Sequence, residues 1–227
     1  MDSSSAATSP QQAWLSRESS ILAFNRRILA QSRYHDVPVL ERLRYITIVS
    51  SNLDEFFEVR FADLLQQSRQ AGSTLGIEEL RAVAAQAHAL IDEQYATFND
   101  HVWPDLRDAG VDILSHADRN PAQREWVAQY FNEQVQPLLM PIGLDPAHPF
   151  PQVANKSLNF IVEILDGARA GIAIVRVPRA LPRVIRLPDE LQPGRQSFVL
   201  LSSVIRSHLH ELFPGANVGN FSQFRVT

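Results

Sequence analysis

The chain has 227 residues, of which 45% are hydrophobic and 20% charged, and its formal net charge is −4. This composition is ordinary for a folded globular protein, and the length suffices for one large domain or two smaller ones. The absence of cysteine excludes disulfides, thiolate metal ligands and cysteine nucleophiles. The negative charge argues against a general nucleic-acid binder, and no apolar run reaches the ~20 residues that span a bilayer.

The beginning of the chain has no pattern of regular structure. Residues 1–12 are small and polar, which predicts a disordered tail. They also lack the basic region and the apolar run of a signal peptide, so we expect a cytoplasmic protein without a transmembrane segment.

The next part of the chain has the apolar spacing of helices. A first helix is predicted from about Arg17 to Tyr34, with Ser16 as its N-cap and with Asn25 mostly opposite its apolar face. A second helix begins near Pro38 and meets the poor helix formers Ser50–Asn52. Two interpretations are open there: one helix that continues to residue 69, or a break and a restart. We favour the break, because a capping box fits at Ser51, and also one residue later.

A long helix is predicted after a glycine-containing turn at Ala71–Gly76. The residues on its apolar face follow one another three or four positions apart, as in helices that pack in a bundle. They are Ile77, Leu80, Ala84, Ala87, Ile91, Gln94, Phe98 and Val102. Pro104 is expected to kink or end this helix, and Gly110 is a plausible stop. We therefore predict an all-α antiparallel helical bundle over residues 13–115.

The second half of the chain has a mixed pattern. Asn120-Pro121 is typical of a helix start, whereas Pro137–Pro151 is too rich in proline for regular structure. Strands are predicted at Val111–Leu114, Leu158–Ile164, Gly171–Val177, Val184–Leu187 and Phe198–Leu201, and a helix at Ser203–Leu212. This pattern predicts an α+β domain over residues 116–227. Because the last residues are strand-like, we expect the chain to be a fragment and this domain to be incomplete at its C-terminus.

The sequence contains no familiar catalytic motif. It has no Walker-type phosphate loop, no glycine-rich kinase loop and no nucleophile elbow. The seven histidines form no known ligand set, and His208 and His210 are interpreted as surface residues of a helix. The acidic cluster Asp54, Glu55 and Glu58 could bind a metal, but a charged first turn that complements the helix dipole is the simpler interpretation.

Asn52 is the most informative candidate residue. An amide offers two donors and an acceptor, which suits contact with a nucleobase edge or a sugar hydroxyl. At the start of a helix it would also lie beside backbone N–H groups that favour anions. On these grounds alone a capping role for Asn52 is favoured. A second alternative concerns Arg60, which either pairs with Asp63 on the surface or points toward a phosphate chain.

Several short blocks lie along the chain in a fixed order. They are Arg17-Glu18, Leu22-Ala23-Phe24-Asn25-Arg26-Arg27-Ile28-Leu29, Pro38, Leu40-Glu41-Arg42-Leu43-Arg44-Tyr45, Ser51-Asn52-Leu53-Asp54-Glu55-Phe56-Phe57-Glu58-Val59-Arg60, Pro137-Leu138, Asp145-Pro146, His148-Pro149-Phe150-Pro151, Asn155-Lys156-Ser157-Leu158-Asn159, Leu212-Phe213-Pro214-Gly215 and Phe224-Arg225-Val226-Thr227. Together, and in this order, these blocks resemble the long-chain polyphosphate kinases of bacteria, and the match covers about residues 14–227. A departure is Ser19-Ser20-Ile21, where the family more often has a Leu-Ser-Trp run.

The resemblance implies an enzymatic function, of which this chain carries only the non-catalytic part. Such enzymes reversibly transfer the terminal phosphate of ATP to polyphosphate through a phosphohistidine, with Mg²⁺. They have an N-terminal helical domain, a head domain and two C-terminal catalytic domains. Asn52 matches the family's N-terminal asparagine that contacts ATP, whereas the phosphohistidine and the Mg²⁺ ligands belong to domains beyond this chain. No histidine here is given the catalytic role, His148 included.

The resemblance also implies partners and a location. ATP and polyphosphate are the expected partners, a homo-oligomer is expected through the head domain, and no nucleic acid is expected. The expected location is the cytoplasm, and peripheral association with a membrane is left open. We expect the chain alone to be inactive. The alternative function is a stand-alone helical interaction or oligomerisation module without catalysis.

Overall fold

The computed structural model describes residues 16–71, 74–145, 147, 149–166 and 169–226. The chain divides into two compact units, Met1–Asp105 and Leu106–Thr227. The first unit is helical and the second is α+β, which confirms the predicted fold classes. The predicted tail, residues 1–12, lies outside the described residues. None of the described helices is both long and apolar enough to cross a membrane.

The helices of the first unit follow one another with short connections. Ser16 caps the first helix, as predicted, because its Oγ accepts a hydrogen bond from the backbone N–H of Ser19 at 3.2 Å. Pro38 is the N-cap of the second helix and not its first residue. The helical segments are α1 (Arg17–Gln31), α2 (Val39–Glu55), a first π-helical segment (Phe56–Phe61), α3 (Ala62–Ala71), α4 (Thr74–Thr97), a second π-helical segment (Phe98–Val102) and α5 (Trp103–Asp108).

The predicted break at Ser50–Asn52 is wrong. Helix α2 passes through these residues without interruption, and the irregularity is the π-helical segment that begins four residues after Asn52. Tertiary packing explains the difference. The α2 residues Val49 and Leu53 and the following Phe56 are buried, so their apolar contacts outweigh the weak local preference of two serines and an asparagine.

Two other predicted boundaries are displaced. Helix α4 already begins at Thr74, so Gly76 lies inside a helix, while residues 72 and 73 of the predicted turn lie outside the described residues. Pro104 does not end its helix, which continues to Asp108. The irregularity lies just before Pro104, in the second π-helical segment, after which the Trp103 N–H donates to the carbonyl of Phe98. Gly110, with φ of 82°, stops the helix as predicted.

A buried arginine joins the connection after α1 to the start of α2. Arg42 is almost fully buried, and its Nε donates to the backbone carbonyl of Ser32 at 2.7 Å. Its Nη1 donates to Asp105 and lowers the pKa of that carboxyl below its ordinary value. Arg42 near the start of α2 contacts Ser32 just after α1, whereas Asn52 near the end of α2 contacts Asn25 further back in α1, so the two helices are antiparallel.

The second unit contains two sheets. One has three strands in the order β1-β6-β5, with β1 parallel to β6. The other has four antiparallel strands in the order β2-β4-β3-β7. The strands are β1 (Val111–Ile113), β2 (Met140–Leu144), β3 (Leu158–Asp166), β4 (Arg169–Arg176), β5 (Val184–Arg186), β6 (Gln196–Leu200) and β7 (Asn217–Arg225).

Strand β2 corrects the prediction that Pro137–Pro151 has no regular structure. It pairs with β4 at one edge of the four-stranded sheet. Pro141 is tolerated there because an edge strand needs hydrogen-bond donors on one side only. Strands β3 and β4 are antiparallel neighbours, and residues 167–168 between them lie outside the described residues.

Two helices cover the core of the second unit. Helix α6 (Pro121–Tyr130) begins with a complete capping box, in which Asn120 and Gln123 each accept from the other's backbone N–H at 2.9 Å. A third π-helical segment (Phe131–Val135) extends α6. Helix α7 (Leu201–Ser207) is shorter than predicted and is followed by a 3₁₀ turn (Leu209–Leu212). Buried side chains come from α6 (Val127), from the third π-helical segment (Phe131) and from α7 (Ile205).

Candidate functional site

Asn52 lies in the last turn of α2 and faces α1. Its side chain is partly buried, and its Nδ2 donates a hydrogen bond to Oδ1 of Asn25 at 2.8 Å. The Nδ2 of Asn25 in turn donates to the backbone carbonyl of Ile21 at 3.0 Å. These two bonds form a chain of amides, which we call the Asn25–Asn52 pair. It fixes Asn52 at the contact between two packed helices.

Asn25 is a residue that the sequence reasoning missed. Helical spacing placed it mostly opposite the apolar face of α1, but only 1% of its surface is exposed. A buried polar side chain needs hydrogen-bond partners, and Asn25 has them in Ile21 and Asn52. Two asparagines 27 residues apart carry no spacing signal, because their contact depends on how the two helices pack.

The structure excludes a capping role for Asn52. It is an interior helical residue, as is Ser51, and neither is at a helix start. The backbone carbonyl of Asn52 accepts from the N–H of Phe56, as in a continuous helix. Asp54 and Glu55 likewise lie at the end of α2, so their interpretation as a helix start is wrong. Within the described residues, no three histidine or carboxylate side chains are grouped to hold a metal ion.

A π-helical segment follows the site directly. Its aromatic residues Phe56, Phe57 and Phe61 form an edge-to-face group with ring centroids 5.4–6.5 Å apart. Arg60 belongs to the same segment and is half-buried. π-Helical turns inside α-helices occur frequently at functional sites. The segment is therefore a second feature that draws attention to this end of α2.

A buried glutamine joins α4 to α2. The Nε2 of Gln94 donates to the backbone carbonyl of Ile46 at 2.8 Å and to Oγ of Ser50 at 2.6 Å. The sequence placed Gln94 among the apolar positions of the long helix, and its burial agrees with that position. A polar residue at a core position is the signal that could have identified it. A concavity of about 260 Å³ lies beside it, lined by Leu43, Ile46, Thr47, Ser50, Gln94, Tyr95 and Phe98.

Among the described residues of the second unit, Asp112 is a buried carboxylate in a dense polar network. Asp112 of β1 accepts two hydrogen bonds from Arg195 and one from Gln192, the latter at 2.9 Å. The hydrogen bonds from Arg195 lower the pKa of Asp112 below its ordinary value, against the opposing effect of burial. Gln192 also accepts from Gln123 and Ser197, so the network connects β1, α6 and β6.

His208 differs from its predicted position at the surface of a helix. His208 is not a surface residue, because its ring stacks on Phe131 with centroids 4.7 Å apart and its Nδ1 lies 2.9 Å from the carbonyl oxygen of Val204. His210 is exposed, and His148 lies outside the described residues.

A concavity of about 450 Å³ in the second unit is lined by Leu138, Met140, Gln152, Val153, Ala154, Ser157, Asn159, Arg176, Val177, Pro178 and Arg179.

Comparison with known proteins assigns both units. The model of the polyphosphate kinase N-terminal domain matches residues 14–114, and that of the polyphosphate kinase middle domain matches residues 122–227. The chain therefore belongs to the polyphosphate kinase family and carries its N-terminal and middle domains.

Individual relatives give the same result. The chain is 48% identical to a polyphosphate kinase of Neisseria meningitidis serogroup B over 224 residues, and 46% identical to that of Paraburkholderia phytofirmans over 223 residues. Each alignment covers 94% of this chain but only 33% and 32% of those proteins. The crystal structure of polyphosphate kinase from Porphyromonas gingivalis superposes with a TM-score of 0.75 at 27% identity, over 93% of this chain and 33% of that one. The chain thus spans about a third of the length of the relatives it matches.

Proposed function

We propose that this chain is the N-terminal part of an enzyme that reversibly transfers the terminal phosphate of ATP to polyphosphate through a phosphohistidine. Within that reaction, Asn52 contacts the bound ATP. Family membership supports the reaction, because the curated relatives are polyphosphate kinases. The availability of the Asn52 amide supports the contact: its oxygen and one of its two amide hydrogens have no protein partner among the described residues.

The proposal gives this chain binding and structural roles. Phosphoryl transfer needs a positioned nucleophile and charge stabilisation at the transferred group. The family resemblance assigns Mg²⁺ to the reaction and places its ligands and the phosphohistidine in domains beyond this chain. Among the described residues, no three acidic or histidine side chains converge. We assign neither the phosphohistidine nor a Mg²⁺ ligand to any residue of this chain.

Three further assignments belong to the proposal. The boundary between the helical domain and the head domain is proposed at residues 115–116, between the family matches that end at 114 and begin at 122. The compact units instead meet between Asp105 and Leu106, and β1 pairs with β6 of the second unit. The head domain takes part in a homo-oligomer, as the resemblance implies. The enzyme acts in the cytoplasm, with peripheral association at the membrane surface as an addition that the resemblance leaves open.

Replacing Asn52 tests the nucleotide contact. We expect Asn52→Ala to weaken ATP binding by the 227-residue chain about three- to tenfold, because one hydrogen bond to the ligand is lost. Isothermal titration calorimetry measures the affinity, and circular dichroism establishes that the variant is folded. The matched control is Ser51→Ala, which truncates the exposed neighbour and leaves ATP affinity unchanged. Equal affinities for wild type and Asn52→Ala would contradict the contact.

An activity assay tests the proposal that this chain alone does not catalyse phosphate transfer. We expect no formation of polyphosphate from ATP by the 227-residue chain with Mg²⁺ present, because the proposal places the transferring residues elsewhere. The measurement follows labelled phosphate from ATP into acid-precipitable polymer. The matched positive control is a full-length relative under identical conditions. Polymer formed by this chain in proportion to its concentration would refute the assignment.

A further inference from the structure

Asn25 restricts the orientation of the Asn52 amide. The NH₂ group of Asn25 donates to the carbonyl of Ile21, so its oxygen is the atom that faces Asn52. A carbonyl oxygen accepts and does not donate, so Asn52 must turn its own NH₂ group toward it. The reverse orientation of Asn52 would place two amide oxygens against each other at the 2.8 Å contact. The backbone of α1 thus sets the direction of both amides.

This orientation determines which group Asn52 offers to a ligand. With its NH₂ turned to Asn25, the amide oxygen lies on the opposite branch of the side chain. No group among the described residues donates to that oxygen, and Asn52 is only partly buried. An amide oxygen is an acceptor with two lone pairs. The ligand group complementary to this oxygen is therefore a hydrogen-bond donor, whereas the remaining hydrogen of Asn52 belongs to the NH₂ branch that is turned toward Asn25.

We propose that Asn25 is a positioning residue that holds the oxygen of Asn52 toward bound nucleotide, where it accepts a hydrogen bond from the nucleoside. The inference rests on the proposed contact between Asn52 and ATP, and it adds the direction of that hydrogen bond and the residue that sets it. Two groups of ATP are donors of this kind, the amino group of adenine and the hydroxyls of ribose. Phosphate oxygens, which are acceptors, are not the group that Asn52 oxygen contacts.

Nucleotide analogues distinguish the two donors. Purine riboside triphosphate lacks the amino group, and the 2′- and 3′-deoxy analogues of ATP each lack one hydroxyl. We expect one of these three ligands to bind the wild-type chain about fivefold more weakly than ATP, the effect of one neutral hydrogen bond. Equal affinity for ATP and all three analogues would overturn the inference.

Two substitutions at Asn25 separate positioning from stability. Asn25→Leu keeps a similar volume but removes the acceptor, so the Asn52 amide can rotate and the fivefold discrimination is lost. Asn25→Asp keeps an oxygen opposite the NH₂ of Asn52, so discrimination is retained although burial of a carboxyl lowers the melting temperature. A purely structural role predicts the opposite order, with the less stable variant losing more discrimination.

A double-mutant cycle links Asn25 to Asn52. We expect Asn25→Leu to have no effect on nucleotide discrimination when Asn52→Ala is already present, because Asn25 acts only through that amide. Additive effects would overturn the positioning role. If Asn52→Ala alone leaves ATP affinity unchanged, the proposed contact fails and the inference with it. If Asn52→Ala weakens ATP binding while Asn25→Leu preserves discrimination, only the inference fails.

The free protein offers a test that does not depend on how well the Asn25 variants fold. In the wild-type chain, NMR is expected to show one side-chain NH₂ proton of Asn52 protected from exchange with solvent, because it is bonded to the buried Asn25. The reference is the NH₂ group of the exposed Asn132. Exchange of both Asn52 protons as fast as those of Asn132 would overturn the orientation.

Discussion

Replacing Phe56 by alanine is expected to lower the free energy of unfolding of the first unit by about 3–5 kcal/mol. Only 2% of Phe56 is exposed, and its ring contacts Phe57 and Phe61 in the first π-helical segment. The substitution removes a large apolar side chain and leaves a cavity at the irregular point between α2 and α3. Because domains are stable by only about 5–15 kcal/mol, this is a large fraction of the total.

The loss is expected to be confined to one unit. Hydrogen exchange measured peptide by peptide should accelerate in α1, α2 and α4 and remain unchanged in β3 and β4, since the two units are separately compact. The matched control is Phe24→Ala in the same unit. Phe24 is 52% exposed and contacts Arg27 only through a cation–π interaction at 5.7 Å, so we expect a loss below about 1 kcal/mol. Equal losses for the two variants would contradict the assigned core.

Replacing Asp112 by asparagine is expected to destabilise the second unit by about 2 kcal/mol near neutral pH. Asp112 is 7% exposed and accepts charge-assisted hydrogen bonds from Arg195. An asparagine of the same shape turns one donor toward the guanidinium and removes the charge. Urea denaturation followed by the fluorescence of Trp126, which packs against the core of this unit, measures the change in a background where Trp14 and Trp103 are replaced by phenylalanine.

The same residue predicts a pH dependence with a definite sign. Its pKa in the folded protein lies below the ordinary value of 3.8, because Arg195 donates hydrogen bonds to the ionised carboxylate. The unfolded chain therefore takes up this proton first as the pH falls. The stabilisation is complete above the unfolded-state pKa and is lost as the pH falls through the folded-state pKa. The difference between wild type and Asp112→Asn should shrink below about pH 4.

An exposed ion pair in the same unit is the control for Asp112. Asp189 accepts from Arg186 at 2.8 Å, but its side chain is 67% exposed. Asp189→Asn is expected to cost less than about 1 kcal/mol, since water screens the pair. A pH profile of Asp112→Asn that runs parallel to the wild-type profile down to strong acid would contradict the role given to Asp112.

Local chemistry in the sequence predicted several boundaries correctly. Ser16 and the Asn120 capping box mark helix starts, and Gly110 marks a helix stop, because each depends on a residue and its near neighbours. The alternation that predicted β3 is equally local. The mixed pattern after residue 110 predicted the α+β unit for the same reason.

The sequence predictions were wrong at positions whose structure depends on contacts with distant parts of the chain. The two serines and Asn52 have weak helix preference, yet buried residues around them keep α2 continuous to Glu55. The proline-rich stretch formed β2 because β4 offered an edge to pair with. His208 is packed on Phe131, which lies 77 positions earlier in the chain. None of these partners can be read from a local window.

For the candidate site, the sequence alone determined that Asn52 is a residue of interest, through its resemblance to a family position, and that this chain resembles polyphosphate kinases. Only the tertiary structure decided that Asn52 is an interior helical residue bonded to Asn25 and followed by a π-helical segment. The reason is physical. Spacing along one helix fixes which residues share a face, but the partner of a buried amide is fixed by the packing of two helices.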